Sequence, residues 1–92
     1  MFPQYDPELY RFKTISEFKM CMHQGGEVVF EWNGNEYFIW SEINRNRICI
    51  TSPDDATLKC VFNTSDEALE FMIGRDRLRD IITQVTVIDR TI

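Results

Sequence analysis

The pair Asn33-Gly34, set between EVVFEW and NEYFIW, constrains this chain more than any other feature. Asparagine and glycine are the residues that most readily take the positive φ needed at both central positions of a type I′ turn. A two-residue turn there predicts Trp32 opposite Asn35, and the remaining register follows by counting. Glu31 then faces Glu36, Phe30 faces Tyr37, and Val28 faces Ile39. Because side chains alternate across a strand, one face collects Val28, Phe30, Trp32, Tyr37 and Ile39, which is a core face. The other collects Glu27, Val29, Glu31, Glu36, Phe38 and Trp40, mixing carboxylates with large apolar groups.

The rest of the chain reads as elements that complete and cover this hairpin. Thr14-Ile15-Ser16-Glu17 has the form of a capping box, and Ile15, Phe18 and Met22 recur on one helical face beside Cys21. Gly25-Gly26 stops that helix. Arg47 to Thr51 predicts a third strand, with a two-residue turn at Arg45-Asn46 that pairs Ile43 with Ile48. Thr57 to Phe62 predicts a fourth. A five-residue loop before it keeps Leu58, Cys60 and Phe62 inward, where a four-residue loop turns them out. Thr64-Ser65-Asp66-Glu67 repeats the capping pattern and opens a helix with Ala68, Leu69, Met72 and Ile73 as its buried stripe, ended by Gly74. Asp76 is expected to cap a further turn with Leu78, Ile81 and Ile82 inward. Val85 to Ile88 forms a last strand at a sheet edge.

Ahead of the first helix, Phe2, Tyr5, Leu9, Tyr10 and Phe12 form an aromatic segment broken by Pro3 and Pro7, which exclude a helix before about Glu8. Leu9 to Lys13 is read as a short strand. The expected fold is α+β, an antiparallel meander of four to five strands with two or three short helices on one face. Residues 14–92 form one domain, and the aromatic segment 1–13 lies on it.

At Gly25-Gly26-Glu27, at the Asn-Gly turn and at Leu78-Arg79-Asp80-Ile81-Ile82, the chain resembles small acidic proteins of Gram-positive bacteria and their mobile elements. Such sequences combine a capped first helix, a glutamate-rich hairpin and a Leu-Arg-Asp-Ile segment before a last strand, here over roughly residues 14–89. The resemblance implies a fold and assigns no activity to any residue.

Composition narrows the function classes. With 43% hydrophobic and 13% aromatic residues, 92 residues suffice for one packed core. No run approaches the ~18 apolar residues of a membrane helix, and MFPQYDPELYR lacks the pattern of a signal peptide. A cytoplasmic location is therefore expected, with no membrane partner. The net charge of −5 disfavours direct nucleic-acid binding, which needs clustered cations to neutralise phosphates. Glu27 to Glu42 holds four glutamates and no Lys or Arg, which suits a partner with a basic or mixed surface.

The chemistry-bearing residues do not assemble into a catalytic or metal motif. Cys21 and His23, two apart on a helix, diverge, and Cys49 and Cys60 fall on opposite sheet faces, so no metal or cofactor is expected. Three cysteines without regular spacing suggest reduced thiols rather than a disulfide framework. His23 near a helix end answers the terminal carbonyls. Paired carboxylates on a flat sheet face stay wet and lack the desolvation that a general acid needs. Arg75, Arg77 and Arg79 form a secondary candidate patch. Asp76 and Asp80 alternate with them, so three positive and two negative charges leave only +1 and suggest local ion pairs.

The outer hairpin face remains, as Val29, Glu31, Glu36, Phe38 and Trp40. Glu31 opposite Glu36 is repulsive, and the apolar side chains beside them should be covered, either by residues 1–13 or by a partner. The expected function is a non-enzymatic protein-binding module docking through this face onto another protein or a second copy of itself. An inhibitor or adaptor carried on a mobile element is a concrete form, for instance a charge mimic that blocks a nucleic-acid-binding enzyme. A small enzyme using a cysteine or paired carboxylates is the alternative, and a deep pocket at Cys21 or Cys49 would favour it.

Overall fold

A computed structural model of the chain describes residues 7–91, and there Asn33 takes φ +54° and Gly34 φ +84°. Both values lie in the left-handed region that a type I′ turn demands. Strands β1 (Glu27–Trp32) and β2 (Asn35–Glu42) pair from Trp32↔Asn35 through Glu31↔Glu36, Phe30↔Tyr37 and Val28↔Ile39 to Glu27↔Trp40. This is the register that counting from the turn predicts. Strands β3 (Arg47–Ser52) and β4 (Asp55–Phe62) extend the meander on one side. The last strand of the sheet, numbered β7 (Thr86–Arg90) because a minor hairpin precedes it, adds to the other side of β1. The sheet order is β4-β3-β2-β1-β7, antiparallel in every pair.

The connection from β2 to β3 differs from the expected two-residue turn. Ile43–Arg45 forms a 3-10 turn, closed by Asn46 at φ +55°, whose N–H donates to the Ile43 carbonyl at 3.1 Å. Ile48 therefore pairs with Ser41 and not with Ile43. The slip is two residues, an even number, so Ile48 and Ile50 still face the core. Ile43 itself is 59% exposed and leans on Gly25, where a Cβ would come within 2.7 Å of its Cδ1.

Between β3 and β4 the expected five-residue loop, which sets Ile50 opposite Leu58, is not observed. Ile50 pairs with Cys60 and Ile48 with Phe62, a two-residue slip that keeps the same parity, while Ser52↔Asp55 closes the turn and a bulge takes up the surplus. Buried Ser52 donates to the Glu36 carbonyl at 2.6 Å, and Asp54 Oδ2 accepts from the Glu36 N–H at 2.7 Å. These bonds tie the β3–β4 turn to the start of β2.

Both sequence caps form. In α2 (Ile15–His23) the Thr14 hydroxyl accepts from the Glu17 N–H at 3.2 Å. Before α3 (Ser65–Ala68) Thr64 accepts from Glu67 at 3.1 Å. In each the glutamate reaches back one residue further than a capping box requires, to the Lys13 and Asn63 N–H groups. α2 ends in a Schellman arrangement, with Gly26 N–H to Cys21 O at 2.8 Å and Gly25 N–H to Met22 O at 3.2 Å.

Two further expectations are corrected. Leu9 to Lys13 is not a strand: α1 (Pro7–Tyr10) is one helical turn starting on proline, where the missing N–H does no harm. The helix from Ser65 does not continue to Ile73. It stops at Ala68, and β5 (Met72–Ile73) pairs with β6 (Asp76–Arg77) across Gly74. The Leu69 and Phe71 carbonyls, which a longer helix would bond internally, accept from Arg79 and Leu78 N–H, both at 2.8 Å. Ile73 is buried and Met72 is largely exposed. Asp76 is no cap; it accepts from the Trp32 indole N–H at 3.0 Å. α4 (Leu78–Ile81) follows Arg77 without a side-chain cap, and Leu78, Ile81 and Ile82 are buried as expected.

One core results. Val28, Phe30, Tyr37, Ile39, Ile48, Ile50 and Val87 from the sheet meet Phe18, Cys21 and Met22 of α2, Ala68 and Leu69, and Leu78, Ile81 and Ile82. Phe12 is buried in the same cluster, edge-on to Phe18 at 5.6 Å. Phe2 and Tyr5 lie outside the described residues.

At Gly34 no heavy atom stands within 4 Å of a built Cβ, so substitution there meets only the positive φ. Gly34→Val should therefore lower unfolding free energy by ~1 kcal/mol or more, and Gly34→Asn by much less, in chemical denaturation. Equal midpoints for the two variants would contradict the type I′ assignment.

Candidate functional site

Parity divides the sheet cleanly. None of Val29, Phe38, Trp40 or Cys49 belongs to the core cluster beneath the helices. They form the opposite face, along with Glu27, Glu31 and Glu36, which are exposed. Trp40 lies between Glu27 on β1 and Cys49 on β3, and Phe38 between Val29 and Thr51. The Phe38 and Trp40 rings meet edge to face, with centroids 5.1 Å apart and planes at 78°, a preferred aromatic geometry. Both remain part-exposed. A groove of about 330 Å³ runs between Glu27, Phe38, Trp40 and Thr51.

Glu42, at the end of β2, fixes this surface. Its Oε1 accepts from Trp40 Nε1 at 3.4 Å, Arg47 Nη2 at 3.2 Å and Cys49 Sγ at 3.4 Å. Arg45 Nε lies 3.5 Å from Oε2. The Arg47 hydrogen bond is the main influence holding the Glu42 carboxyl below its ordinary pKa; partial desolvation opposes it, and the Cys49 and Trp40 bonds add to it. Glu42 thus stays ionised and anchors the Trp40 indole by its only N–H. The sequence reading missed this hub. Its signal is the Trp40-x-Glu42 spacing, which places both side chains on one face of one strand, with Arg47 directly opposite Glu42.

Two groups of acidic residues contrast. Glu17, Glu42, Asp66 and Glu70 form ion pairs with Arg90, with Arg45 and Arg47, with Lys19, and with Arg77 and Arg79. Glu27, Glu31 and Glu36 form none among the described residues, and Glu31 stands directly opposite Glu36. The arginine patch is not assembled as a site. Arg79 and Arg77 reach Glu70 at 2.9 and 3.6 Å instead of the neighbouring aspartates, and Arg75 points to solvent.

The thiols are distributed as expected, with one correction. Cys49 does lie on the outer face, yet it is only 2% exposed. Burial first, then the Glu42 hydrogen bond and charge, push its pKa above the ordinary thiol value. Burial does the same to Cys21. A second cleft, about 300 Å³, is lined by His23, Ser41, Arg47, Asn63 and Ser65 and by no cysteine. Among the described residues no three His, Cys, Asp or Glu groups converge on a metal position, and no helix is long and apolar enough to cross a membrane.

Alkylation reads this directly, because the thiolate is the reactive species. In the folded protein Cys60, which is part-exposed, should react first, with Cys21 and Cys49 far slower. Mass mapping after brief iodoacetamide treatment checks the order, and fast labelling of Cys49 would contradict it. No protein-family model, curated protein or solved structure matches this chain.

Proposed function

We propose that this chain is a non-enzymatic protein-binding module whose docking surface is the outer face of the β1–β2 hairpin. One observation carries the reading: Val29, Phe38 and Trp40 sit outside the core among three carboxylates that have no cationic partner among the described residues. Apolar area of this kind, ringed mainly by carboxylates with Lys59 on the β4 side opposite Thr51, suits a partner that presents apolar groups within a basic or mixed surface. The partner's cations relieve the Glu31–Glu36 repulsion and accelerate encounter. Self-association through this face sets like charges against each other and is the weaker form of the same idea. An inhibitor or adaptor of mobile-element origin, acting on a host protein with a basic surface, is the concrete role we favour.

The competing cover for this face is the N-terminal segment; of its described residues, Phe12 turns into the helix-side core and Tyr10 packs against that core. An enzyme reading gains no support from the thiols: the clefts at His23, at Arg45 and at Trp40 are lined by no cysteine.

Trp40→Ala should weaken binding to the captured partner by ~2 kcal/mol or more while the protein stays folded, as expected for a central aromatic anchor. Reversing Glu31 and Glu36 to lysine should mainly slow association and reduce its salt dependence. Binding to proteins captured from a native lysate, measured alongside thermal melts of each variant, tests both. A folded Trp40→Ala protein that keeps full affinity would remove this face from consideration.

A further inference from the structure

The groove across β1, β2 and β3 has a composition that selects one kind of visitor. It is lined by Phe38 and Trp40, with Glu27 on the β1 side and Thr51 on the β3 side. Trp40 spends its indole N–H on Glu42 inside the molecule, so toward the groove it offers ring surface and no hydrogen-bond donor. Glu27 has its backbone N–H and carbonyl held by Thr91, at 2.8 and 3.0 Å, which leaves the carboxylate exposed on a fixed stem. An anion is repelled by Glu27. An uncharged apolar group would desolvate that carboxylate without compensating it.

The same protein contains a filled version of this constellation. Arg90 lies over the Phe12 ring, 4.1 Å from its centroid, with Glu17 at 3.6 Å from Nη2. An aromatic face and a carboxylate hold one guanidinium there. The outer groove repeats the aromatic surface and the carboxylate, and no cation from the described residues joins Glu27.

Resting on the docking function proposed above, we infer that this groove is a subsite for a single basic side chain of the protein partner, best an arginine. The guanidinium stacks on the Phe38–Trp40 surface and donates to Glu27. The aliphatic stem lies along the ring edges. Glu42 is a positioning residue, because it sets the Trp40 ring before the partner arrives.

The test uses ¹⁵N-labelled protein and two small probes, N-acetyl-arginine amide and its uncharged isostere N-acetyl-citrulline amide. The Trp40 indole signal and the Glu27 amide should shift saturably with the arginine probe. The Trp32 indole, bonded to Asp76 on the other face, serves as the unmoved control. The citrulline probe should bind about tenfold more weakly, and Glu27→Gln should shrink that difference severalfold with the fold unchanged. Equal shifts from both probes, or arginine shifts spread evenly over Glu31, Glu36 and the other carboxylates without saturation, would overturn the subsite. If partner capture then still depends on Trp40, the docking face stands and only the arginine subsite falls. A saturable, Glu27-dependent arginine shift supports the subsite even where capture proves independent of Trp40, in which case the docking function is what fails.

Discussion

Every assignment of a side chain to one face or the other depends on the parity set at Asn33-Gly34. A strand alternates with period two, so a slip of one residue in the first hairpin would exchange Phe30 and Tyr37 for Glu31 and Glu36 in the core. The left-handed turn forbids that slip by fixing Trp32 opposite Asn35. Phe30 and Tyr37 then stack with centroids 5.4 Å apart beneath the helices, and Phe38 and Trp40 meet on the other side. The core and the outer aromatic pair are two consequences of one turn.

Signals of short range were legible in the sequence. The Asn-Gly turn, both threonine caps and the double-glycine stop each rest on a few neighbouring residues, and each formed. Two of the readings that missed depend on contacts from beyond the local stretch. Met72 and Ile73 fit a helical stripe, but backbone bonds from Leu78 and Arg79 draw the chain into a small hairpin before a helix can reach them. Asp76 looks like a cap until Trp32, 44 residues earlier, donates to it. The β2–β3 turn is longer than expected because Asn46 accepts the left-handed conformation one residue before β3. An even shift left the core face intact, which is why the fold survived that error and Ile43 did not keep its expected place.

The candidate site was legible in its members and not in its organisation. Val29, Glu31, Glu36, Phe38 and Trp40 follow from counting along the hairpin. That Glu42 anchors Trp40, Arg47 and Cys49 together needs the cross-strand pairing of β2 with β3, which rests on the misread turn. The burial of Cys49 has the same origin. It sits between Trp40 and Val61 on the outer face, and together with the Glu42 network these neighbours account for its being closed to solvent without belonging to the core.

Docking through the outer face requires that this face be open in the free protein. Hydroxyl-radical footprinting with mass mapping measures that side chain by side chain. Phe38 and Trp40 should be modified far faster than Phe18 and Phe30, which are fully buried in the core. Protection of Phe38 and Trp40 to the level of Phe30, in dilute protein without partner, would show the face sealed from within and would contradict the account.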